Sequence, residues 1–308
     1  MTGTDFPGLD AYLRTEAARV EAALGRALDG LEGFSGAGSL PAEIVDAMRH
    51  GVLGGGKRLR PVLCVAAYRA CGGEASEAVY DLAAALELVH AYSLMHDDLP
   101  CMDDADLRRG RATTHRVHGE KSTMIAGAAL IPAAALQALR AATALGAEPP
   151  RARRVARLVM QAAGAGGMVG GQWLDLLGED ARLTPPELDE LHRLKTGALL
   201  TASLAVGAAA AGAPEEKREA LGAYGRAIGL AFQIADDVLD ATASAETLGK
   251  NPSDADLGKS TYVSLYGLEP ARVEARALVE QALTALGDAG VRSPPLEALA
   301  RYVVERGS

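Results

Sequence analysis

The sequence is poor in aromatic residues and in cysteine. Phe, Trp and Tyr make up only 4% of its 308 residues, whereas alanine and leucine are abundant. This balance disfavours a β sandwich, because strands prefer aromatic and β-branched side chains, and it predicts an all-α fold. The three cysteines, Cys64, Cys71 and Cys101, form no CxxC-type metal pattern. So sparse and odd a set is typical of a reducing compartment, and a cytoplasmic location is expected.

Basic charge is also scarce. The formal net charge of −9 argues against nucleic acid as a partner, since proteins that bind a phosphate backbone normally present a basic face. The N-terminal segment MTGTDFPGLDAYLRTEA has no basic stretch followed by an apolar run, so no signal peptide is predicted. Residues 122–139 and 196–214 lack charge over the length of a membrane span. Both are rich in small residues, and buried core helices are expected there rather than membrane spans.

The chain has no internal repeat, low-complexity tail or long linker. In residues 76–98 apolar side chains recur at three- and four-residue steps, and residues 217–240 form a second long apolar helical pattern. About ten helices joined by short connections predict one single-domain helical bundle over residues 1–308. The predicted breaks, where Gly and Pro gather, lie at 30–41, 146–150, 178–187, 211–216 and 287–295.

Two aspartate clusters stand out, in HDDLPCMDDADLRRGR near residue 100 and in FQIADDVLD near residue 236. In the second cluster, Gln233, Asp236 and Asp240 are spaced so that they share one helix face, where like charges repel unless cations bind. In the first, the LPCM insert is predicted to bend the chain so that Asp103 returns towards Asp97. Each cluster alone fits a solvated acidic surface. Two clusters that face each other would suit Mg²⁺, an ion that keeps several bound waters and bridges to substrate phosphates.

Cations accompany these clusters. Arg108 and Arg109 come shortly after the first cluster, and the guanidinium fork binds phosphate oxygens in bidentate fashion. The segment LGGGKRLRP combines glycines with Lys57, Arg58 and Arg60, which can hold a phosphate. It is not a Walker A loop, because it lacks that spacing and has no Ser or Thr after the lysine. Three further cations, each of which fits an ordinary surface lysine if taken singly, are Lys195, Lys250 and Lys259.

The motifs together resemble a known family. GGGKRLRP, HDDLPCMDDADLRRG, GMVGGQWLDL, LKTGALL, GLAFQIADDVLD and GKSTYVSL occur in this order in trans-isoprenyl diphosphate synthases, the polyprenyl synthetase family. The similarity extends from about residue 40 to the C-terminus. The four residues between Asp98 and Asp103 are similar to those of bacterial farnesyl and plant-type geranylgeranyl diphosphate synthases.

The resemblance implies an all-α fold around a deep central cavity, a homodimer, and condensation of isopentenyl diphosphate with an allylic diphosphate. It implies three Mg²⁺ ions, held by Asp97, Asp98, Asp103, Asp236 and Asp240. It places isopentenyl diphosphate on Lys57, Arg60, His90 and Arg109. It places the allylic diphosphate on Arg108, Lys195, Thr196, Gln233, Lys250 and Lys259. The residues expected to take part in catalysis are Asp97, Asp98, Asp103, Arg108, Lys195, Asp236 and Lys250.

The length of the product depends on the floor of the cavity. Tyr92 lies five residues before Asp97, about 7.5 Å down a helix that rises 1.5 Å per residue, and Ser93 follows it. A large side chain there resembles the floor of farnesyl-type enzymes and predicts a C15 product. Tyr92 also fits an ordinary packed aromatic, and the small residues within 124–129 leave a C20 product open.

Two departures from the family pattern keep other functions in view. Ala128 stands where the family commonly has Asp or Asn, and the segment GKNPSDADLGK is about one residue shorter than usual. The alternatives are a class I terpene cyclase and an inactive regulatory subunit. The cyclase needs no second diphosphate pocket such as the one around Lys57 and Arg60, and two intact aspartate motifs argue against an inactive subunit.

Overall fold

The computed structural model describes residues 8–31, 40–178, 182–242 and 260–305. Within these ranges fourteen α-helices and one π turn account for nearly all regular structure, and two short strands form a hairpin. The first helices are α1 Leu9–Asp29, α2 Ala42–Val52, α3 Leu59–Ala70, α4 Glu77–Asp97, α5 Thr114–His118, α6 Glu120–Ala144 and α7 Pro149–Ala163. The later helices are α8 Met168–Gly178, α9 Pro185–His192, α10 Ala198–Ala210, α11 Glu215–Thr242, α12 Tyr262–Tyr266, α13 Leu268–Asp288 and α14 Pro294–Glu305. The π turn is Arg193–Gly197, and the strands are β1 Leu107–Arg108 and β2 Arg111–Ala112.

The predicted all-α fold is confirmed, and two central helices organise it. α4 packs against α6, α1 and α3, and nearly its whole circumference is buried, as the dense apolar pattern of residues 76–98 predicts. α11 packs against α13 and α10 in a second part of the core. α10 also packs against α3 and thereby joins the two parts. The C-terminal ends of α4 and α11 carry the two aspartate clusters.

Element boundaries follow the local sequence. α6 ends and α7 begins around the predicted break at 146–150, and the breaks at 211–216 and 287–295 also separate helices. α9 starts with a capping box in which Thr184 and Glu187 satisfy each other's backbone groups. The number of helices exceeds the predicted ten, because short helices such as α5 and α12 fall below the length at which periodicity is visible.

Among the described residues, one helix has the length and apolar composition that a membrane span requires, and that helix is α6. Its inner face, including Ala126, Leu130 and Ala134, is buried against α4 and α7, as expected of a core helix. The uncharged stretch 196–214 is divided between the π turn and α10, whose side chains are mostly buried.

Candidate active site

The first aspartate cluster folds back on itself at the end of α4. The backbone N–H of Asp103 donates to the carbonyl of Asp97 at 2.9 Å, and the N–H of Asp104 donates to Leu99 O at 3.1 Å. The predicted return of Asp103 towards Asp97 is therefore present in the backbone. Asp104 adopts a left-handed conformation, with φ of 45°, to complete this turn.

The two adjacent carboxylates at the start of this cluster have different surroundings. Asp98 is buried and accepts hydrogen bonds from Arg108, from Nε at 2.9 Å and from Nη2. Burial opposes the charge of Arg108, but the bond to Asp98 outweighs it and the pKa of the guanidinium is raised. Burial raises the pKa of Asp97 to about 6, and the nearby charge of Lys195 offsets only part of this effect. Asp98 is therefore paired with Arg108. Asp97 is disfavoured in its charged form, and a bound cation would stabilise that form.

The second cluster divides in the same way. Gln233, Asp236 and Asp240 are each partly accessible on one face of α11, as their spacing predicts. Asp237 is buried on another side of the helix, where its Oδ2 accepts a hydrogen bond from the backbone N–H of Tyr262 at 2.7 Å. Asp236 and Asp240 are therefore the carboxylates of this motif that lie on the accessible face.

A partly buried cation, Arg60, and a neutral imidazole, His90, lie side by side where the resemblance implies a pocket for isopentenyl diphosphate. Arg60 Nη1 donates to His90 Nε2 at 3.2 Å. Burial, reinforced by the positive charge of Arg60 and Arg109, lowers the pKa of His90 well below its usual range, so the ring is neutral at pH 7. Burial also lowers the pKa of Arg60, although Glu87 and Asp236 favour its charge. An anion in this pocket would replace the solvation that these groups have lost.

The glycine-rich segment allows close approach of another cation. Gly55 and Gly56 have φ of +76° and +127°, and the Arg109 guanidinium donates to Gly55 O. A Cβ atom on Gly56 would overlap that guanidinium. Lys57 Nζ donates to the hydroxyl of Tyr302 at 2.7 Å and lies 5.3 Å from the centre of its ring. The last helix therefore contributes a side chain to this pocket that sequence reasoning missed.

The interpretation of Arg58 as a phosphate-binding cation is wrong. Its side chain turns inward, only 4% of it is exposed, and its backbone is left-handed with φ of 49°. It donates to Glu21 at 2.7 Å, to Glu87 at 2.6 Å and to the carbonyl of Val52 at 2.8 Å. Arg58 consequently fixes the segment that joins Lys57 to the first turn of α3, where Arg60 lies.

Lys195 and Thr196 lie in the π turn between α9 and α10. Lys195 Nζ forms an ion pair with Asp175 Oδ2 at 2.6 Å, which sequence reasoning had not assigned. The signal available was a lone acidic residue in the apolar segment GMVGGQWLDL. Gly171 permits this contact, because a Cβ atom there would overlap the backbone of Lys195. The predicted Lys250 and Lys259 lie outside the described residues.

A cavity of about 390 Å³ is lined by several of these groups. Its polar rim includes Arg60, His90, Asp97, Lys195 and Thr196. Its other walls come from α4 and α8, with the small polar residue Ser93 and the larger side chains of Tyr92, Met168, Trp173 and Leu176. A smaller cavity of about 140 Å³ shares Lys195 and Thr196 and extends to Gln233 and Asp237. A larger surface groove of about 730 Å³ along α7, α10 and α11 contains none of the predicted site residues.

Tyr92 is one of the residues that line the main cavity. Only 5% of it is exposed, its hydroxyl donates to Ala163 O at 3.3 Å, and its ring packs edge-on against His96 with centroids 5.7 Å apart. His96 in turn donates from Nε2 to Met124 O at 3.0 Å. These contacts hold the Tyr92 ring in place beside the apolar end of the cavity.

The donor set fits Mg²⁺. Asp97 and Asp103 on one side and Asp236 and Asp240 on the other supply the oxygen ligands that this ion prefers. Within the described ranges no three acidic, histidine or cysteine side chains converge tightly enough to enclose a metal by themselves. Such an open arrangement suits an ion that completes its coordination with water and phosphate oxygens.

Comparison with known proteins shows the family to which this chain belongs. Residues 41–290 match the polyprenyl synthetase family. A dimethylallyltranstransferase of Fischerella ambigua is 41% identical, over 97% of this chain and 84% of the relative. Geranylgeranyl pyrophosphate synthase 9 of Arabidopsis thaliana is 43% identical, over 86% of this chain and 75% of the relative. The structure of an FPP/GFPP synthase from Zymomonas mobilis, 37% identical, superposes with a TM-score of 0.79 and covers 96% of this chain and 98% of that one. The chain therefore belongs to the polyprenyl synthetase family and is a prenyl-transferring enzyme of the trans-prenyl diphosphate synthase type.

Proposed function

We propose that this enzyme condenses isopentenyl diphosphate with dimethylallyl and geranyl diphosphates and releases mainly farnesyl diphosphate (C15). The observation that carries the proposal is the cavity whose rim holds Asp97 and Lys195 and whose apolar wall includes the buried Tyr92. A prenyl chain that starts at the rim has about 7.5 Å of helix, five residues at 1.5 Å each, before it meets that ring.

The two substrates would bind to two separate sets of residues. Lys195, Thr196, Arg108 and Gln233, together with Lys250 and Lys259, would hold the allylic diphosphate. Lys57, Arg60, His90 and Arg109 would hold isopentenyl diphosphate. Mg²⁺, with three ions expected at Asp97, Asp103, Asp236 and Asp240 and with Asp98 in support, would supply positive charge that stabilises the leaving diphosphate.

The chain's own residues then direct the reaction. As the allylic C–O bond breaks, the cations of Arg108 and Lys195 stabilise the departing diphosphate. Neutral His90 accepts a hydrogen bond from Arg60 and so orients its guanidinium group. That group would hold isopentenyl diphosphate with its double bond beside the allylic carbocation that forms when the C–O bond breaks. The apolar walls exclude water, which would otherwise react with the carbocation. The departing diphosphate is the base to which the final proton is assigned.

Product sizing tests the proposal. Purified protein would be incubated with Mg²⁺, labelled isopentenyl diphosphate and, in separate reactions, dimethylallyl, geranyl or farnesyl diphosphate. The expected result is elongation of the first two primers to C15 and little use of the third. Tyr92→Ala should extend the products to C20 or beyond, whereas Tyr92→Phe should keep the C15 product because the ring remains. A wild-type C20 product would overturn the role of Tyr92, and no elongation of any primer would overturn the synthase.

A C20 product is the second candidate. The relatives are named for products of different lengths, including geranylgeranyl pyrophosphate, so family membership does not fix the length. Exposed Ala128 and half-buried Ala129 on α6 leave room that larger residues would fill. The contact between Arg60 and His90 supports a second diphosphate pocket, which a terpene cyclase would not need. The presence of both aspartate motifs favours an active enzyme over a regulatory subunit.

We also propose that the protein acts as a homodimer through the outer face of α6. Met124, Ile125 and Leu136 expose 52%, 50% and 40% of their surface on that face, and apolar side chains so exposed are favoured to bury against a partner. Leu136→Glu should convert the dimer to a monomer in sedimentation equilibrium. Val273→Glu, at an exposed apolar residue of α13, is the matched control and should leave the dimer intact. A wild-type monomer would contradict the proposal.

A further inference from the structure

Tyr262 contacts two helices that carry opposite parts of the allylic-diphosphate site. Its backbone N–H donates to Asp237 Oδ2 of α11 at 2.7 Å. Its ring stacks on His192 of α9, with centroids 5.9 Å apart and planes 23° apart. Its hydroxyl donates to Asp189, also of α9. One residue thereby links α9, which leads into the π turn, to α11, which carries the second aspartate motif.

Three of the four residues that form these contacts are buried, and Asp189 is exposed. Tyr262, His192 and Asp237 are each about 6% exposed. Burial lowers the pKa of His192 to about 4, so its ring is neutral and its 3.9 Å approach to Asp237 is not an ion pair. The Asp237 carboxylate therefore accepts a hydrogen bond from the N–H of Tyr262. This N–H lies in the first turn of α12 and has no acceptor within the helix.

We propose that Asp237 and Tyr262 are positioning residues that set the spacing between Lys195–Thr196 and the Gln233–Asp236–Asp240 face. His192 ends α9 three residues before Lys195, and Asp237 adjoins Asp236, so both arms of the link are short. The inference rests on the proposed function, because it assigns the link to the allylic subsite. The residues proposed for isopentenyl diphosphate, Lys57, Arg60, His90 and Arg109, all lie outside α9, α11 and α12, so their spacing is not expected to depend on this link.

The amide variant separates positioning from metal binding. Asp237→Asn keeps an oxygen that can accept from the Tyr262 N–H, whereas Asp237→Ala does not. Loss of a hydrogen bond to a charged group should lower kcat/KM for geranyl diphosphate about tenfold or more in the alanine variant. We expect the asparagine variant to stay within about threefold of the wild type, since only the charge assistance is lost. The KM for isopentenyl diphosphate should be unchanged in both.

A direct role in metal binding gives a different result. Both variants would then fail alike, and both would need a higher Mg²⁺ concentration for half-maximal rate. That result would overturn the proposal, as would an equal rise in the KM values of both substrates.

A second pair of variants tests the donor itself. Tyr262 is the first residue of α12, a position that accepts proline, and Thr261 has the extended backbone (φ −127°, ψ 162°) that precedes proline readily. Tyr262→Pro removes both the ring and the N–H, and Tyr262→Ala removes the ring alone. The proline variant should lose more activity with geranyl diphosphate than the alanine variant. Equal activities would overturn the coupling through the N–H.

Hydrogen exchange gives a readout that does not depend on turnover. Peptides that cover 260–266 should exchange faster in Asp237→Ala than in the wild type and stay protected in Asp237→Asn. Unchanged protection in the alanine variant would overturn the contact. If the wild type elongates no primer, the proposed function fails, while the exchange experiment still decides whether Asp237 holds α12.

Discussion

Replacement of Asp97 by asparagine is expected to stabilise the metal-free protein while it removes activity. Burial raises the pKa of this carboxyl from 3.8 to about 6, which means that the folded protein disfavours the charged form. Each pKa unit corresponds to about 1.4 kcal/mol, so the ionised side chain costs the folded state about 3 kcal/mol at neutral pH. Asparagine has nearly the same shape and carries no charge.

The pH dependence follows from the direction of this shift. Because the folded state binds the proton more tightly than the unfolded state, the wild type loses stability as the pH rises from about 4 to about 6. The amide side chain of the Asp97→Asn variant does not titrate and escapes this loss. The stability gained by the variant should therefore be near zero at about pH 4 and reach its full value above about pH 6.5.

Urea unfolding with EDTA present, at about pH 3.5 and about pH 7.5, measures the difference on either side of this transition. Asp103→Asn is the matched control, since that side chain is exposed and the same substitution should change stability little. Addition of Mg²⁺ should stabilise the wild type more than Asp97→Asn, because a ligand of the folded state raises its stability by mass action. A variant less stable than the wild type at the higher pH, or a gain that is equal at both pH values, would refute the reasoning.

Three further substitutions test the supports of the site. Arg58→Met leaves Glu87 buried without its cation and should lower the free energy of unfolding by about 3–5 kcal/mol, whereas the double variant with Glu87→Met should recover most of it in urea titrations. Gly127→Ala places a methyl group against the imidazole of His96 and should lower the free energy of unfolding by about 1–3 kcal/mol. The control Gly25→Ala has open space around it and should raise the free energy of unfolding by about 0.5–1 kcal/mol. Tyr302→Phe should raise the KM for isopentenyl diphosphate about threefold to tenfold and leave that for geranyl diphosphate unchanged, as expected for one lost hydrogen bond.

The parts of the fold that sequence reasoning predicted correctly are those with long, regular signals. Residues 76–98 and 217–240 are helices in the structure because their apolar spacing continues over five or more turns. The return of Asp103 to Asp97 was also predictable, because the intervening proline cannot continue a helix. The face shared by Gln233, Asp236 and Asp240 follows from helix geometry alone.

The errors and omissions concern side chains whose direction depends on distant partners. Arg58 stands between two cations of the pocket, yet it turns inward because Glu21 and Glu87, far away in sequence, neutralise it. Asp175 is one acidic residue in an apolar helix, and only the approach of α8 to the π turn shows that it pairs with Lys195. Tyr302 lies 245 residues from Lys57. No local pattern reports such pairings.

The same pairings explain how flexible side chains come to be ready for substrate. Arg108 is held by Asp98 and Lys195 by Asp175, so each long side chain is already ordered before an anion arrives. Ordering a long side chain on binding costs about 0.5–1.5 kcal/mol, and a preorganised cation avoids that cost. Asp98 and Asp175 thus contribute by restraining the cations, which is a different use of a carboxylate from that of Asp97. Under the proposed function, two neighbouring aspartates in one motif therefore have separate roles, because Asp98 is paired inside the protein and Asp97 would bind Mg²⁺.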